Sequence, residues 1–303
     1  MKVGIIGAGA IAGTMAGTIR EMDCAQNYAV AARDYGRAAE FAQTYGFEKA
    51  YGSYEELVED AGVELVYIAT PHSHHYEHIK LCLNHGKHVL CEKSFTVNES
   101  QAREVLALAR EKKLLLTEAI WTRYMPMRKT LDSVLSSGVI GRPYMLTANL
   151  GYIISGKERI MRPELAGGAL LDVGIYPLNF ASMVFGDEVD SITGTAVMTE
   201  TGVDAQNSIT ITYKDGKMAA LCSSAMGLSD RRGIIYGDNG FIEVENINNC
   251  EGIRVYDRSR NMIASYDTPK QISGYEYEVE ACLRAIKEGA LECPEMPHEE
   301  TLR

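Results

Sequence analysis

Asp172 and Tyr176 place a carboxylate and a phenol four residues apart, directly after the glycines at positions 167 and 168. In a helix that begins near Asp172, these two positions lie one turn apart on the same face. A carboxylate in the first turn of a helix is also stabilised by the positive end of the helix dipole. The stretch predicts either an acid/base pair that faces a common pocket, or an N-cap aspartate on a buried helix with a core aromatic beneath it.

A second chemical signal is the glycine-rich turn that follows a short apolar run at the start of the chain. It matches GxGxxG with alanine as its last member, at Gly7, Gly9 and Ala12, and Ile11 opens the predicted helix 11–22. In a dinucleotide site the first glycine makes the tight turn and the second lets the pyrophosphate approach the backbone. The pyrophosphate then rests on the amides of the helix N-terminus. The turn therefore predicts dinucleotide binding.

The end of the second predicted strand distinguishes NADP from NAD. An NAD site usually has an acid there that holds the ribose hydroxyls, but this chain has Ala32 followed by Arg33, with Arg37 one turn later. Two guanidiniums suit a 2′-phosphate, because they form bidentate charge-assisted hydrogen bonds. Asp34 could be a displaced ribose ligand or the N-cap of the next helix, and both arginines could instead be solvent-exposed. The pattern favours NADP over NAD.

Chemically active side chains also follow two later strands, at the edge where such sheets bind ligands. Thr70, His72 and His75 follow one strand, and Glu92 with Lys93 follows the next. We assign all five to cofactor binding. The cluster of histidines lacks the further ligands and the HExxH spacing of a zinc site, so no metal is expected. Lys93 is also a catalytic candidate, since a lysine beside a cofactor can hold a substrate hydroxyl; the alternative is a surface lysine paired with Glu92.

Strands and helices alternate through the first third of the chain, which predicts a doubly wound parallel sheet. The predicted strands are 3–6, 28–32, 65–70, 88–91 and 114–117, and the helices are 11–22, 36–45, 54–60, 75–85 and 98–111.

The alternation ends near Trp121, which sets the predicted domains at 1–120 and 121–303. The second domain reads as an α+β unit with a large, mainly antiparallel sheet. Its predicted helices are 127–137, 172–185 and 274–288, and its strands are 144–152, 190–199, 207–214, 217–226, 232–237, 240–245 and 252–257.

Composition narrows the class of protein. The 303 residues include 30 Lys and Arg against 41 Asp and Glu, for a net charge of −11, so a nucleic-acid partner is not expected. The seven scattered cysteines fit reduced thiols in a cytoplasmic protein. Residues 1–6 predict a strand and no signal peptide, and no apolar run predicts a membrane span.

Several motifs resemble those of the glucose–fructose oxidoreductase / inositol dehydrogenase family, also written Gfo/Idh/MocA. They are the glycine-rich start, Thr-Pro-x-x-x-His, Gly-Lys-x-Val-x-x-Glu-Lys and Gly-Gly-x-x-x-Asp-x-Gly. Residues 118–126 and 167–176 are similar to the dimeric dihydrodiol dehydrogenase branch. NADP-linked xylose dehydrogenases have similar sequences at these two stretches. The resemblance runs from Met1 to about residue 298.

The resemblance implies an N-terminal Rossmann domain and a C-terminal open sheet whose outer face makes homodimers or homotetramers. It maps the catalytic lysine onto Lys93 and the family's aspartate onto Asp172. Tyr176 stands where many members have a catalytic histidine, as in the dihydrodiol branch. Tyr176 is then the expected acid/base, with its pKa lowered by the Lys93 cation by roughly 2 to 3 units from about 10. Lys93 and Tyr176 could exchange these roles, and Asp172 would orient Lys93 or hold a substrate hydroxyl.

Around this constellation, Trp121, Arg123 and Arg159 are expected to form the substrate rim, together with Arg162. Trp121 would suit a sugar or cyclic diol as a flat apolar wall, or it would anchor a domain interface.

The chain departs from the family pattern at three places. Ser94 replaces the proline after the lysine, which removes a φ restraint, and His72 replaces the asparagine of many members. Related chains continue into a terminal helix, of which residues 299–302 resemble only the opening turn.

The sequence thus predicts an NADP-dependent dehydrogenase that acts on a secondary alcohol of a sugar, polyol or cyclic trans-diol. Two alternatives stay open. One is a different enzyme on the same fold, either a biliverdin-reductase-like enzyme or a glycosidase that recycles its bound NAD. The other is a non-catalytic NADP-sensing regulator.

Overall fold

The computed structural model describes residues 1–303 and divides them into two compact units. The first comprises Met1–Tyr124 together with Gln271–Arg303, and the second comprises Met125–Lys270. Residues 271–303 correct the predicted second domain of 121–303, because they pack with the first unit. Leu116 donates its N–H to the carbonyl of Leu291 at 3.1 Å, and Nε2 of buried His298 lies 2.8 Å from the Leu116 carbonyl.

The first unit is built on a six-stranded parallel sheet, as the alternation predicted. Its strands are β1 Lys2–Ile6, β2 Gln26–Ala31, β3 Lys49–Tyr51, β4 Leu65–Ile68, β5 His88–Glu92 and β6 Leu116–Ala119. They lie in the order β3-β2-β1-β4-β5-β6. The order reverses between β1 and β4, and ligands bind outside the carboxyl ends of the strands at such a point. Strand β3 was not predicted from the sequence, because it is only three residues long and partly exposed.

Nine α-helices complete the two units, and all had been predicted to within a few residues, the last as a helical opening turn at 299–302. They are α1 Ala10–Arg20, α2 Tyr35–Tyr45, α3 Tyr54–Glu59, α4 His75–Asn84, α5 Glu99–Lys112, α6 Pro126–Ser136, α7 Ile175–Phe185, α8 Glu276–Glu288 and α9 His298–Leu302. Local capping explains several starts: Ser53 and Glu56 form a capping box at α3, and Asn98 caps α5.

The second unit contains an eight-stranded sheet. Its strands are β7 Pro143–Gly151, β8 Val189–Met198, β9 Asp204–Tyr213, β10 Met218–Ser224, β11 Gly233–Gly237, β12 Gly240–Glu245, β13 Gly252–Asp257 and β14 Met262–Asp267. They lie in the order β14-β13-β12-β11-β7-β10-β9-β8. Only β7 and β10 pair in parallel, so the sheet is mainly antiparallel as predicted. The sequence analysis missed β14, an edge strand whose side chains are mostly exposed.

The helix predicted from residue 172 begins differently. Residues Leu170–Gly174 form a π-helical turn that continues directly into α7. This turn and α7 pack on one face of the sheet, against β7 and β10. The helical stretch Pro163–Phe185 is long and apolar enough to cross a membrane by length and composition, although no membrane span had been predicted, but it is mostly buried within the protein. A core helix of a folded domain passes the same test.

Candidate active site

The glycine-rich turn forms an open cradle at the N-terminus of α1. Gly7 has φ +105°, and a Cβ there would lie 2.7 Å from the Ala69 carbonyl oxygen, so only glycine fits between β1 and β4. A Cβ at Gly9 would meet no atom within 4 Å. The first turn of α1 has neither a side-chain cap nor an acidic residue, so its amides and dipole face this space. These features fit the pyrophosphate of a dinucleotide.

Ile11 and Ala12 contribute to this cradle through packing. Ala12 is fully buried and Ile11 half-buried, which lets α1 lie close to the sheet as the third small residue of the motif requires. A cofactor contact of either side chain stays a prediction.

Two exposed guanidiniums stand beside the cradle. Arg37 donates from Nη2 to the Ala8 carbonyl at 2.9 Å, which brings its charge to the glycine-rich turn. Burial raises the pKa of Tyr54, while the nearby charges of Arg33 and Arg37 partly offset that rise. Asp34 accepts from the Arg37 N–H at 2.8 Å and caps α2. Of the two roles considered for Asp34, the structure thus shows the N-cap.

The histidines after β4 hold the loop together. Both ring nitrogens of fully buried His75 lie near backbone carbonyls, Nδ1 at 2.8 Å from Ser94 and Nε2 at 2.9 Å from Thr70. Burial lowers the pKa of His75 against the opposing effect of these carbonyls, and a neutral ring donates to one of them at a time. This corrects the cofactor-binding prediction for His75, whose side chain joins the loops after β4 and β5. His72 is also buried.

Thr70 ends the same strand with a partly buried side chain, and its Oγ1 lies 3.0 Å from Nδ1 of His78. The cofactor roles of Thr70 and His72 stay predictions. The structure contains no group of three or more His, Cys, Asp and Glu side chains placed to hold a metal ion.

Glu92 and Lys93 end β5 at the same edge of the sheet. Glu92 is 6% exposed; its Oε1 accepts from the Tyr67 hydroxyl, and its Oε2 accepts from the Lys93 N–H at 3.2 Å. Lys93 is half-buried. Ser94, which lacks the φ restraint of proline, is buried and held through its carbonyl by His75. The loop that carries Lys93 is therefore anchored on both sides.

Two residues of the predicted substrate rim are buried in the first unit. Arg123 is 9% exposed and donates from Nη2 to Glu300 in α9 at 2.6 Å, which gives it a structural role; its substrate contact stays a prediction. Trp121 is 8% exposed and stacks on Tyr275 with ring centroids 4.3 Å apart. One face of the indole is therefore covered, and its role toward substrate stays a prediction.

The acid/base candidates of the second unit lie at the junction of the π-helical turn and α7. Asp172 belongs to the π-helical turn and Tyr176 to the first turn of α7, and both are buried, at 5% and 7% exposure. Asp172 is therefore no N-cap, and the simple α-helical spacing predicted for the pair does not apply. Single π-helical turns within α-helices are frequent at functional sites.

Arg159 fixes the aspartate, since its Nη1 lies 2.7 Å from Asp172 Oδ1. Arg162, by contrast, pairs with Glu158 and Glu164 on the surface. The structure places Arg159 beside Asp172, whereas Arg162 is engaged elsewhere; the substrate role of Arg159 stays a prediction.

The glycine pair sets the entry to this junction. Gly168 has φ +107°, and a Cβ there would lie 2.2 Å from Asp204 Oδ1. The other oxygen of Asp204 accepts from the Leu170 N–H at 2.8 Å. Asp204 therefore caps the π-helical turn across the space that Gly168 leaves open.

Sequence reasoning missed three polar residues buried in the first unit: Tyr67, Glu118 and Glu278. Tyr67 is hidden in an otherwise aliphatic strand. Glu278 was detectable, because it shares the apolar face of α8 with Cys282 and Ala285 at helical spacing. An acid on such a face is a signal for a buried polar cluster.

The chain matches two family descriptions in succession. Residues 1–120 match "Oxidoreductase family, NAD-binding Rossmann fold" and residues 129–243 match "GFO/IDH/MocA C-terminal domain". Similar curated proteins include trans-1,2-dihydrobenzene-1,2-diol dehydrogenases from Xenopus tropicalis, 34% identical over 97% of this chain and 92% of the relative, and from Homo sapiens, 36% identical over 99% and 92%.

Solved structures show the same fold. A 3-ketoreductase from Actinomadura kijaniata, in complex with TDP-benzene and NADP, has a TM-score of 0.88 at 24% identity. An aldose-aldose oxidoreductase from Caulobacter crescentus, complexed with glycerol, has a TM-score of 0.90 at 19% identity. Both alignments cover 100% of this chain and 93% of the other. The chain belongs to the Gfo/Idh/MocA family of oxidoreductases, which confirms the resemblance in its motifs.

Glu118 in β6 is a buried acid whose raised pKa can be tested through the pH dependence of stability. Burial raises its pKa to about 7, against hydrogen bonds from Thr301 and the Phe95 N–H, and with a further increase from Glu92. A carboxyl whose pKa is raised on folding stabilises the fold below its unfolded pKa, and this contribution is lost as the pH rises through about 7. We expect wild-type unfolding free energy to fall between about pH 5 and pH 8, by on the order of 2 kcal/mol.

Glu118→Gln should flatten this dependence in urea unfolding, because glutamine cannot ionise. Glu111→Gln, at an exposed position of α5, is the control and should keep the wild-type slope. An unchanged slope in Glu118→Gln would contradict the assignment.

Proposed function

We propose that this protein is an NADP-dependent dehydrogenase that acts on a secondary alcohol of a sugar, polyol or cyclic trans-diol. The observation that carries the cofactor choice is the Arg37 guanidinium, held on the Ala8 carbonyl beside the open N-terminus of α1. The names of the relatives support the substrate class, since two of them are dihydrobenzene-diol dehydrogenases that align along nearly the whole chain.

The first unit contains groups suited to hold the cofactor. The amides at Gly9 and the first turn of α1 would hold the pyrophosphate, and Arg33 with Arg37 would hold the 2′-phosphate. No carboxylate at the end of β2 competes for that phosphate except Asp34, which caps α2. When bound, the nicotinamide exchanges a hydride with the substrate carbon that carries the hydroxyl.

Tyr176 and Lys93 would handle the proton of that hydroxyl. Tyr176 is the proposed acid/base. Its phenol can donate a proton to the substrate oxygen, and its phenolate can accept one. A phenol is a poor base at its ordinary pKa of about 10, and the Lys93 ammonium would stabilise its phenolate form. Asp172, paired with Arg159, would hold a substrate hydroxyl, which keeps the reacting carbon in place.

This mechanism predicts non-additive losses. Tyr176→Phe and Lys93→Met should each lower kcat by about 10² to 10⁴-fold, the usual contribution of a positioned acid/base. The double variant should lose little more than the worse single variant, because residues that act on one step are non-additive. Activity is measured by NADPH absorbance on a panel of sugars, polyols and trans-diols.

Binding of NADPH to Tyr176→Phe, followed by fluorescence, should stay within a few-fold of wild type. Lys93 is also assigned to cofactor binding, so kcat of Lys93→Met and of the double variant is measured at saturating NADPH. Tyr213→Phe, at another buried tyrosine, and Lys129→Met, at an exposed lysine, are the matched controls. Multiplying losses in the double variant would show that the two residues act independently.

The arginines at the end of β2 predict cofactor preference. Arg33→Ala should weaken NADP⁺ binding by about 10- to 100-fold, since a hydrogen bond to a charged group contributes roughly 1.5 to 3 kcal/mol, and should change NAD⁺ binding less than about threefold. Calorimetric titration of both nucleotides measures the difference. Arg20→Ala, at the exposed end of α1, should leave both affinities unchanged, and equal losses for both nucleotides in Arg33→Ala would remove the 2′-phosphate argument.

We also propose a homodimer through the open face of the eight-stranded sheet. The π-helical turn and α7 cover one face, whereas the opposite face carries a groove of about 500 Å³ that includes Val197, Gln206 and Cys222. Val197 is 56% exposed, and Met218 on β10 is 38% exposed. Exposed apolar side chains on a regular sheet face favour contact with a second copy.

A charge on this face should separate the dimer. Val197→Glu is expected to run as a monomer in light scattering coupled to gel filtration, because an unpaired carboxylate would be desolvated in the interface. Ile192→Glu, on the other face of the same strand and 62% exposed, is the control and should remain dimeric. A monomeric wild-type protein would refute the proposal.

A further inference from the structure

One face of the parallel sheet carries polar side chains that the proposed reaction has not used. Val66 and Ile68 of β4 and Val89 and Cys91 of β5 point into an apolar core with α4 and α5. Because side chains alternate along a strand, Tyr67 and Glu92 project from the opposite face. Helix α8 packs on β5 and brings Glu278 to their side, where it acts electrostatically on Tyr67 and is itself acted on by Glu92.

Glu92 is the acid of this group that receives hydrogen bonds. Its two carboxylate oxygens accept from the Tyr67 hydroxyl and from the Lys93 N–H. Hydrogen bonds donated to a carboxylate stabilise its ionised form. The Tyr67 hydroxyl keeps its proton, since burial, followed by the charge of Glu92, raises its pKa well above the ordinary value.

Glu278 differs from Glu92 in its hydrogen bonding. It is completely buried, and neither of its carboxyl oxygens has a hydrogen-bond partner. An ionised carboxylate without a partner is strongly disfavoured in the interior, so such a group takes up a proton instead. Burial and then the charge of Glu92 raise the pKa of Glu278 well above the ordinary value. Of these two acids, only Glu92 has donors that stabilise a carboxylate, and it lies directly before Lys93 in the chain.

We propose that Tyr67 and Glu278 are positioning residues that act on Lys93 through Glu92. Tyr67 holds the carboxylate of Glu92, directly before Lys93 in the chain, in its ionised form, and Glu278, as a neutral acid, adds no further charge beside it. This inference rests on the proposed function of Lys93, because its kinetic consequence appears only if Lys93 takes part in the reaction.

Other groups also face Glu92 and shape its titration. Glu118 of β6 and Lys93 lie beside it, and Tyr275, before α8, faces Tyr67. Cys293 faces Glu278. The like charge of ionised Glu118 disfavours the Glu92 carboxylate, and the Tyr67 hydroxyl opposes this effect. Removal of that hydroxyl should therefore make Glu92 easier to protonate.

The kinetic test uses Tyr67→Phe in the full-length protein. The variant loses a donor to the carboxylate, so the pKa of Glu92 rises. Because the active form requires the carboxylate, activity is lost as the pH falls through that pKa, and the acid limb of the kcat/KM profile moves to higher pH. We expect kcat/KM on that limb to fall about 3- to 10-fold, with kcat/KM at higher pH unchanged.

Tyr124→Phe is the matched control, since the Tyr124 hydroxyl is also buried in the first unit and bonds to Thr117 and the Glu118 carbonyl. It should lose stability without moving the acid limb. An equal displacement in both variants, or an unmoved acid limb in Tyr67→Phe, would overturn the role of Tyr67.

The test of Glu278 needs no substrate. A protonated carboxylic acid has a carbonyl stretch in the infrared spectrum that a carboxylate lacks. At about pH 9, where Glu118 with its pKa of about 7 is ionised, this band should be present in wild type and absent in Glu278→Gln. The variant keeps a neutral side chain of the same shape, so its acid limb should match that of wild type. Loss of a carboxylate signal instead, or an acid limb displaced to lower pH, would show that Glu278 carries a charge.

These measurements separate this inference from the proposed function. If no alcohol of the panel is oxidised, the proposed function fails, while the infrared band still reports on Glu278. If turnover occurs but the acid limb of the kcat/KM profile has the same position in Tyr67→Phe as in wild type, only the inference about Tyr67 fails.

Discussion

The close approach of β1 and β4 at Gly7 is the constraint on which the first unit depends. A Cβ at this position would lie 2.7 Å from the Ala69 carbonyl, and the backbone has φ +105°, so the turn needs glycine for both reasons. The turn directs the chain into α1 with its amides open at Gly9. Because these strands are parallel, the loops after β1, β4 and β5 lie at the same edge, and the reversal of strand order between β1 and β4 opens a crevice there. The residues that end those strands are therefore brought to the cradle by topology.

Burial of polar groups shapes the rest of this edge. His75 and Arg123 are buried with their polar atoms engaged by carbonyls and by Glu300. Each ties a loop or a terminal segment to the sheet, which is why residues predicted to contact ligands serve as supports. Buried polar groups keep their place only where partners meet their hydrogen-bonding needs. The backbone of the loop that carries Lys93 is thereby held in place by His75, although position 94 is not proline.

The second unit also buries a polar side chain, and it does so with a π-helical turn. A π-helical turn at Leu170–Gly174 places Asp172 in the interior, where Arg159 offsets its charge at 2.7 Å. Gly168 leaves room for Asp204, whose carboxylate caps the start of that turn. The wider π-helical turn costs regular hydrogen bonding, and such turns are retained where they direct a side chain.

The sequence by itself determined the class of each unit and most of its elements, because hydrophobic periodicity and glycine turns are local properties. It also identified the cradle at Gly7 and Gly9 and the aspartate that Arg159 holds, through motifs within short stretches. Only the tertiary structure decided that residues 271–303 join the first unit, that Arg123 pairs with Glu300, and that Glu278 is buried near Tyr67 and Glu92. These outcomes depend on partners far apart in the chain, and the protonation of a buried acid depends on which partners reach it.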